Sequence, residues 1–130
     1  MQMQAIRVAA LARVNTQSGT ANTVNGTAVD LQPFSEGSTQ FKALLDVTSA
    51  LGTTPNFTAK IQESDSTAST SFTDISGAVF TAVTATTGNA SPESIHFVTN
   101  KRYVRLVSVT DTNTTSAVFA AYLIGGQRIQ

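Results

Sequence analysis

Apolar and polar residues alternate along most of this chain in short runs, each closed by a cluster of Thr, Ser, Asn, Gly or Asp. Residues 41–47 set Phe41, Ala43, Leu45 and Val47 against Lys42, Leu44 and Asp46. Residues 57–63 set Phe57, Ala59 and Ile61 against Thr58, Lys60 and Gln62. A period of two sends the two sets to opposite sides of a strand, so both runs predict strands with one face on a core and one toward solvent. The same pattern predicts strands over residues 28–31 (closed by Pro33), 72–75, 79–83, 94–98, 103–109 and 118–124. The last two are rich in β-branched and aromatic residues, which suit a pleated surface. Ser76-Gly77 falls between two runs as a bulge or tight turn, because glycine takes positive φ without penalty.

Helical spacing is scarce. In residues 5–14, Ile6, Ala9, Ala10 and Arg13 are spaced for a helix, but Ile6, Val8 and Ala10 alternate equally well, which makes the segment a strand or an extended arm. Residues 15–27 hold Asn, Thr, Ser and Gly with nothing large to bury, and read as a loop or flexible arm. The chain thus divides into an arm or strand with its polar loop, 1–27, and a sandwich, 28–130, within one domain. About eight short strands with short connections predict an all-β, antiparallel two-sheet sandwich of jelly-roll type, with an N-terminal arm or edge strand. An immunoglobulin-like sandwich is the alternative, although its Cys–Trp–Cys core is missing.

Charge changes this picture. Charged residues are 12% of the 130, and eight bases balance eight acids to a formal net charge of 0. A nucleic-acid binder needs basic excess to displace counterions, so no nucleic-acid partner is expected. Neutrality also removes the usual electrostatic protection against self-association. A surface poor in Lys and Glu is easier to bury against a partner. No apolar run approaches the ~20 residues of a membrane-spanning helix. The short apolar run of residues 1–14 has no basic residue before it and is interrupted by Arg7 and Arg13, unlike a targeting segment.

Candidate chemistry is thin. With no Cys, neither a disulfide nor a thiolate site is available. The single histidine, His96, alternates away from Ile95 and Phe97 onto the more polar face, and lacks the second histidine that a metal or catalytic site usually recruits. Glu63, Asp65 and Asp74 gather around one predicted hairpin; turn capping accounts for such acids better than an oxygen-ligand cation site. Lys101, Arg102 and Arg105 form a basic cluster, with Tyr103 on the same strand face as Arg105. Such a pair suits either an interface anchor or ion pairing with Asp46, Glu63 or Asp74 across the sheet. No nucleophile elbow or phosphate-binding glycine loop occurs, and Ile124-Gly125-Gly126-Gln127 reads as a strand end. The sequence therefore predicts no catalytic, cofactor or metal site.

Several segments together resemble a family. They are Asn25-Gly26-Thr27-Ala28-Val29-Asp30-Leu31, Leu45-Asp46-Val47, Gly52-Thr53-Thr54-Pro55-Asn56-Phe57 and Lys60-Ile61-Gln62-Glu63-Ser64-Asp65. Phe72-Thr73-Asp74-Ile75, Gly77-Ala78-Val79-Phe80 and Lys101-Arg102-Tyr103-Val104-Arg105 complete the set. In this phrasing, over residues 25–126, the chain resembles the capsid decoration (cement) proteins of tailed bacteriophages. The resemblance implies a β-sandwich virion protein, made in the host cytoplasm, that sits on the outer surface of the mature head. Its implied partners are the major capsid protein and further copies of itself, a trimer before a dimer, with no cofactor. Contacts are expected from Ile6, Arg7, Val8, Leu11 and Arg13, and from Tyr103 and Arg105; an N-terminal arm would be removable without unfolding the sandwich. Head-fibre, head-completion, tail or baseplate components and carbohydrate- or receptor-binding modules reuse similar sandwiches and form the alternatives.

Overall fold

The computed structural model describes residues 4–18, 22–34, 40–89 and 91–128. The strands are β1 (Gln4–Ser18), β2 (Thr23–Asn25), β3 (Val29–Asp30), β4 (Gln40–Gly52), β5 (Phe57–Ser64), β6 (Thr73–Val79), β7 (Glu93–Val98), β8 (Tyr103–Thr110) and β9 (Thr114–Arg128). One sheet runs β1-β9-β4-β7; the other runs β2-β8-β5-β6, with β3 also on β8. Every strand pair is antiparallel. With β2 and β3 taken as one interrupted strand, the chain changes sheet at each connection except the β5–β6 hairpin. This is the strand order of a jelly roll, in agreement with the alternation of the sequence.

The core lies where the alternation places it. Phe41, Ala43, Leu45 and Val47 of β4 and Phe119, Ala121 and Leu123 of β9 face Phe57, Ala59 and Ile61 of β5 and Val104 and Leu106 of β8, all buried. Phe57 and Phe119 bridge the two sheets with ring centroids 4.8 Å apart. Phe41 stacks on Phe97 at 5.7 Å and meets Phe34 edge-on at 5.5 Å, closing one end of the sandwich. Gly125 lies under this cluster; a Cβ there would fall 2.5 Å from the Phe34 ring.

Three local features depart from the alternation. Residues 15–27 are not simply a loop: β1 continues to Ser18, and Thr23–Asn25 pairs with β8. Polar residues form these strands because a neighbouring backbone, Thr16 opposite Val118 and Thr23 opposite Val109, supplies ladder partners that a hydrophobicity pattern does not reveal. Residues 72–83 form one strand, β6, and then a single bridge, in which Phe57 and Val83 exchange backbone bonds of 2.9 and 2.8 Å. The Ser76-Gly77 bulge sits inside β6, where the register against β5 shifts and Gly77 takes φ 79°. Finally, the turn before β7 docks on β4. Gly88 (φ 78°) lets Asn89 donate its backbone N–H to Val47 O at 3.0 Å. The Asn89 side chain accepts from Val47 N at 2.9 Å and donates to Leu45 O at 3.1 Å. Asn89 thereby continues β7's pairing where β4 begins to bulge past Val47.

Candidate interaction surface

The two outer faces differ in how their charges are used, although each exposes apolar side chains, Val8 on one and Val79 on the other. On the β2-β8-β5-β6 sheet, polar side chains satisfy one another. Arg105 is 7% exposed. Its Nε donates to Gln62 Oε1 at 3.0 Å, an NH donates to Ser69 at 3.1 Å, and the guanidinium lies 4.3 Å from the Phe72 ring centroid. Gln62 passes the network on to Asp74 at 2.8 Å, and Lys60 pairs with the other Asp74 oxygen at 2.8 Å. The Lys60 and Gln62 hydrogen bonds hold the Asp74 carboxyl below the usual carboxylate range.

The basic cluster of the sequence is therefore three separate contacts. Lys101 pairs with Asp65 at 3.0 Å. Arg102 grips both oxygens of Asp30 at 3.1 and 3.0 Å, covers the half-buried Tyr103 ring at 5.2 Å, and lowers the Asp30 pKa. Among the described residues Arg105 reaches no acid; its partners are Gln62 of β5 and Ser69 and Phe72 of the segment between β5 and β6. Ion pairing across the hairpin takes Asp65 and Asp74, while Glu63 accepts from Thr99. Among the described residues, no three His, Asp or Glu side chains gather as metal ligands.

The outer face of the β1-β9-β4-β7 sheet is largely apolar. Cross-strand register sets it out in rows. Val8, Ile124, Lys42 and His96 form one; Ala10, Tyr122, Leu44 and Ser94 form the next; Ala120 and Asp46 follow. Val8 is 58% exposed, Tyr122 40% and Val98, at the margin, 61%. A shallow depression of about 500 Å³ opens at Lys42, His96, Val98 and Ile124. Lys42 and Asp46, both half-buried, have no ion-pair or hydrogen-bond partner among the described residues, in contrast to the paired charges of the other sheet.

β1 borders this face as the outermost strand, and among the described residues no strand pairs with its other side, which leaves a 15-residue edge for a further partner. The expected N-terminal contact residues separate across it. Val8 points outward. Leu11 is 3% exposed and belongs to the core cluster, so it packs the sandwich and is not a surface contact. Arg7 lies over the Phe34 ring at 5.8 Å. The side chains of Ile6 and Arg13 lie outside the described residues. Leu44, Lys42, Asp46, Tyr122 and Ile124 were not among the predicted contacts, although the alternation that buries Leu45 and Leu123 turns them outward.

No protein-family model matches this chain, and no curated protein matches its sequence. Solved structures match by shape. The VP2 subviral particle of infectious bursal disease virus superposes with a TM-score of 0.58 at 13% identity, covering 95% of this chain and 32% of that one. The Gx strain of the same virus gives 0.54 at 12% identity, with 95% and 32% covered. A Bacillus endospore appendage chain, from a family of disulfide-linked pili, gives 0.53 at 10% identity, with 98% and 91% covered. This chain spans about a third of the length of the viral chains it matches. At such identities the likeness shows one thing, a shared sandwich fold.

Proposed function

We propose that this chain is a structural protein of a virus particle, a decoration (cement) subunit that binds the outer surface of a mature phage head and ties major capsid protein subunits together. The observation that carries the reading is the outer face of the β1-β9-β4-β7 sheet, where Val8, Leu44, Tyr122 and Ile124 turn outward around two charges left unpaired among the described residues, with β1 as the edge strand. Likeness in fold to chains of a viral particle supports it, as does the resemblance of residues 25–126 to phage decoration proteins. No catalytic role is assigned. Cementing requires only preferential binding to the assembled lattice, which stabilises that lattice by mass action. Modest contacts suffice when one oligomer engages several subunits, because linkage raises the effective concentration.

On this reading the shell contacts run along the outer edge of β1. Deleting residues 1–14 is not a clean test, since it removes Leu11 from the core and strips β9 of its partner. The full chain is therefore incubated with mature heads and with procapsids of the virus that encodes it, and pelleted. Saturable binding to mature heads, at a stoichiometry that matches a lattice symmetry axis, is expected. Binding to neither shell contradicts the proposal. A second reading, a fibre or appendage subunit, draws on the near full-length match to the pilus chain; filament formation by the purified protein without shell binding would favour it. A linkage through disulfides is closed to this chain, which has no Cys.

A further inference from the structure

We infer that the outer face of the β1-β9-β4-β7 sheet recognises a second copy of itself, two chains packing face to face about a two-fold axis that crosses β4 at Leu44. The inference goes beyond the decoration role and stands without it.

Lys42 and Asp46 are charges of this face that have no partner among the described residues. Both sit on β4 with their side chains outward, two residues either side of Leu44. At about 3.4 Å per residue, each lies roughly 7 Å from Leu44, in opposite directions along the strand. A two-fold axis lying in the interface and perpendicular to the strands reverses that direction. It brings Lys42 of each copy over Asp46 of the other, twice per dimer. A two-fold axis along β4 would instead set Lys42 against Lys42, so the charge pattern selects one of the two arrangements. An isologous interface needs this kind of self-complementarity.

The neighbouring strand agrees. Ile124 stands beside Lys42, Ala120 beside Asp46, and Tyr122 beside Leu44. The same rotation lays Ile124 over Ala120, large over small, and brings the two Tyr122 rings together at the centre. Facing sheets pack about 10 Å apart, a gap that the Lys42 side chain can span. The depression over Lys42, His96 and Ile124 leaves room for the Asp46 end of the partner. A net charge of 0 adds no long-range repulsion between copies.

Size sets the strength. Four strands about 4.8 Å apart, overlapping over roughly 27 Å, cover about 500 Å² a side. The total of about 1,000 Å² is at the lower edge of specific interfaces, the size of weak and reversible complexes. The outer edge of β1 remains open at the rim of such a dimer and available to a shell.

Sedimentation equilibrium of the full chain, from about 1 to about 300 µM, reads this directly. The wild type is expected to fit a monomer–dimer equilibrium. Lys42→Asp or Asp46→Lys alone is expected to weaken association at least ~10-fold, because each variant sets like charges together at both symmetric positions. The double variant Lys42→Asp/Asp46→Lys restores opposite charges and is expected to return to within ~3-fold of wild type, the coupling a double-mutant cycle measures. Far-UV circular dichroism accompanies each protein, and Lys42→Gln and Asp46→Asn replace any reversal that fails to fold, with weaker losses expected. A wild type that stays monomeric throughout, single variants that associate as the wild type does, or a double variant no better than the singles would each overturn the inference. The readout uses no shells, so shell binding by a monomeric wild type would sink this inference alone, and dimerisation without shell binding would sink the decoration role alone.

Discussion

Truncation of Phe57 to Ala is expected to cost about 3–5 kcal/mol of folding stability, the range for a large aromatic removed from a packed core. Phe57 is 0% exposed and its ring meets Phe119 across the sandwich at 4.8 Å. No other described aromatic pair joins the two sheets by strands central to both, since β5 and β9 are each flanked on both sides. Its backbone also exchanges bonds with Val83 and pairs with Thr110, so the vacated volume cannot close by moving the strand inward without breaking that ladder. A domain of this size has roughly 5–15 kcal/mol to lose, so the variant should stand close to unfolding at ordinary temperature. Denaturant titration followed by circular dichroism measures the loss. A cost below about 1 kcal/mol would mean that Phe57 is not packed between the sheets.

The second large effect lies in the backbone. Gly88→Ala is expected to destabilise by roughly 3 kcal/mol or more, whereas Gly77→Ala should cost about 1 kcal/mol. Both glycines have the same handedness, φ 78° and 79°. They differ in what a Cβ would meet: at Gly77 nothing within 4 Å, at Gly88 the carbonyl oxygen of Val47 at 1.9 Å. An alanine at 88 must push the turn away from β4, and Asn89 then loses its bonds to Val47 and Leu45. Paired denaturation curves of the two variants separate conformational strain from collision. Equal losses would show that the turn does not lean on β4 as described.

Much of the fold was legible in the sequence, for one physical reason. A strand with one buried face must alternate, and Phe41 to Val47 and Phe57 to Ile61 do so without interruption. Alternation assigns faces but not neighbours. That β9 lies between β1 and β4, and that β1 and β9 each extend to 15 residues, follows from backbone pairing to which Thr, Ser and Gln contribute no apolar pattern. Asn89 gave no signal at all, since a side chain standing in for a strand partner looks like any loop asparagine.

The candidate surface was half legible. Grouping Arg7, Val8 and Leu11 as one contact patch overlooked the strand period, which turns Val8 outward and Leu11 inward. The basic cluster around Tyr103 suggested an anchor because its acids, Asp30 and Asp65, are distant in sequence and the hydrogen-bonded Gln62 is neutral. The Lys42-Ala43-Leu44-Leu45-Asp46 run, by contrast, carries its opposed charges in plain view. What it lacked was the knowledge that no partner among the described residues takes them up.

The proposed role, holding a shell together, is tested most directly by heating shells. Mature heads stripped of the protein and then saturated with it are warmed while release of the packaged genome is followed by dye fluorescence. Release is expected to shift upward by several degrees, and further as free protein rises above its dissociation constant, as mass action requires. Release at the same temperature with and without saturating protein would contradict a cementing role, however tightly the chain binds.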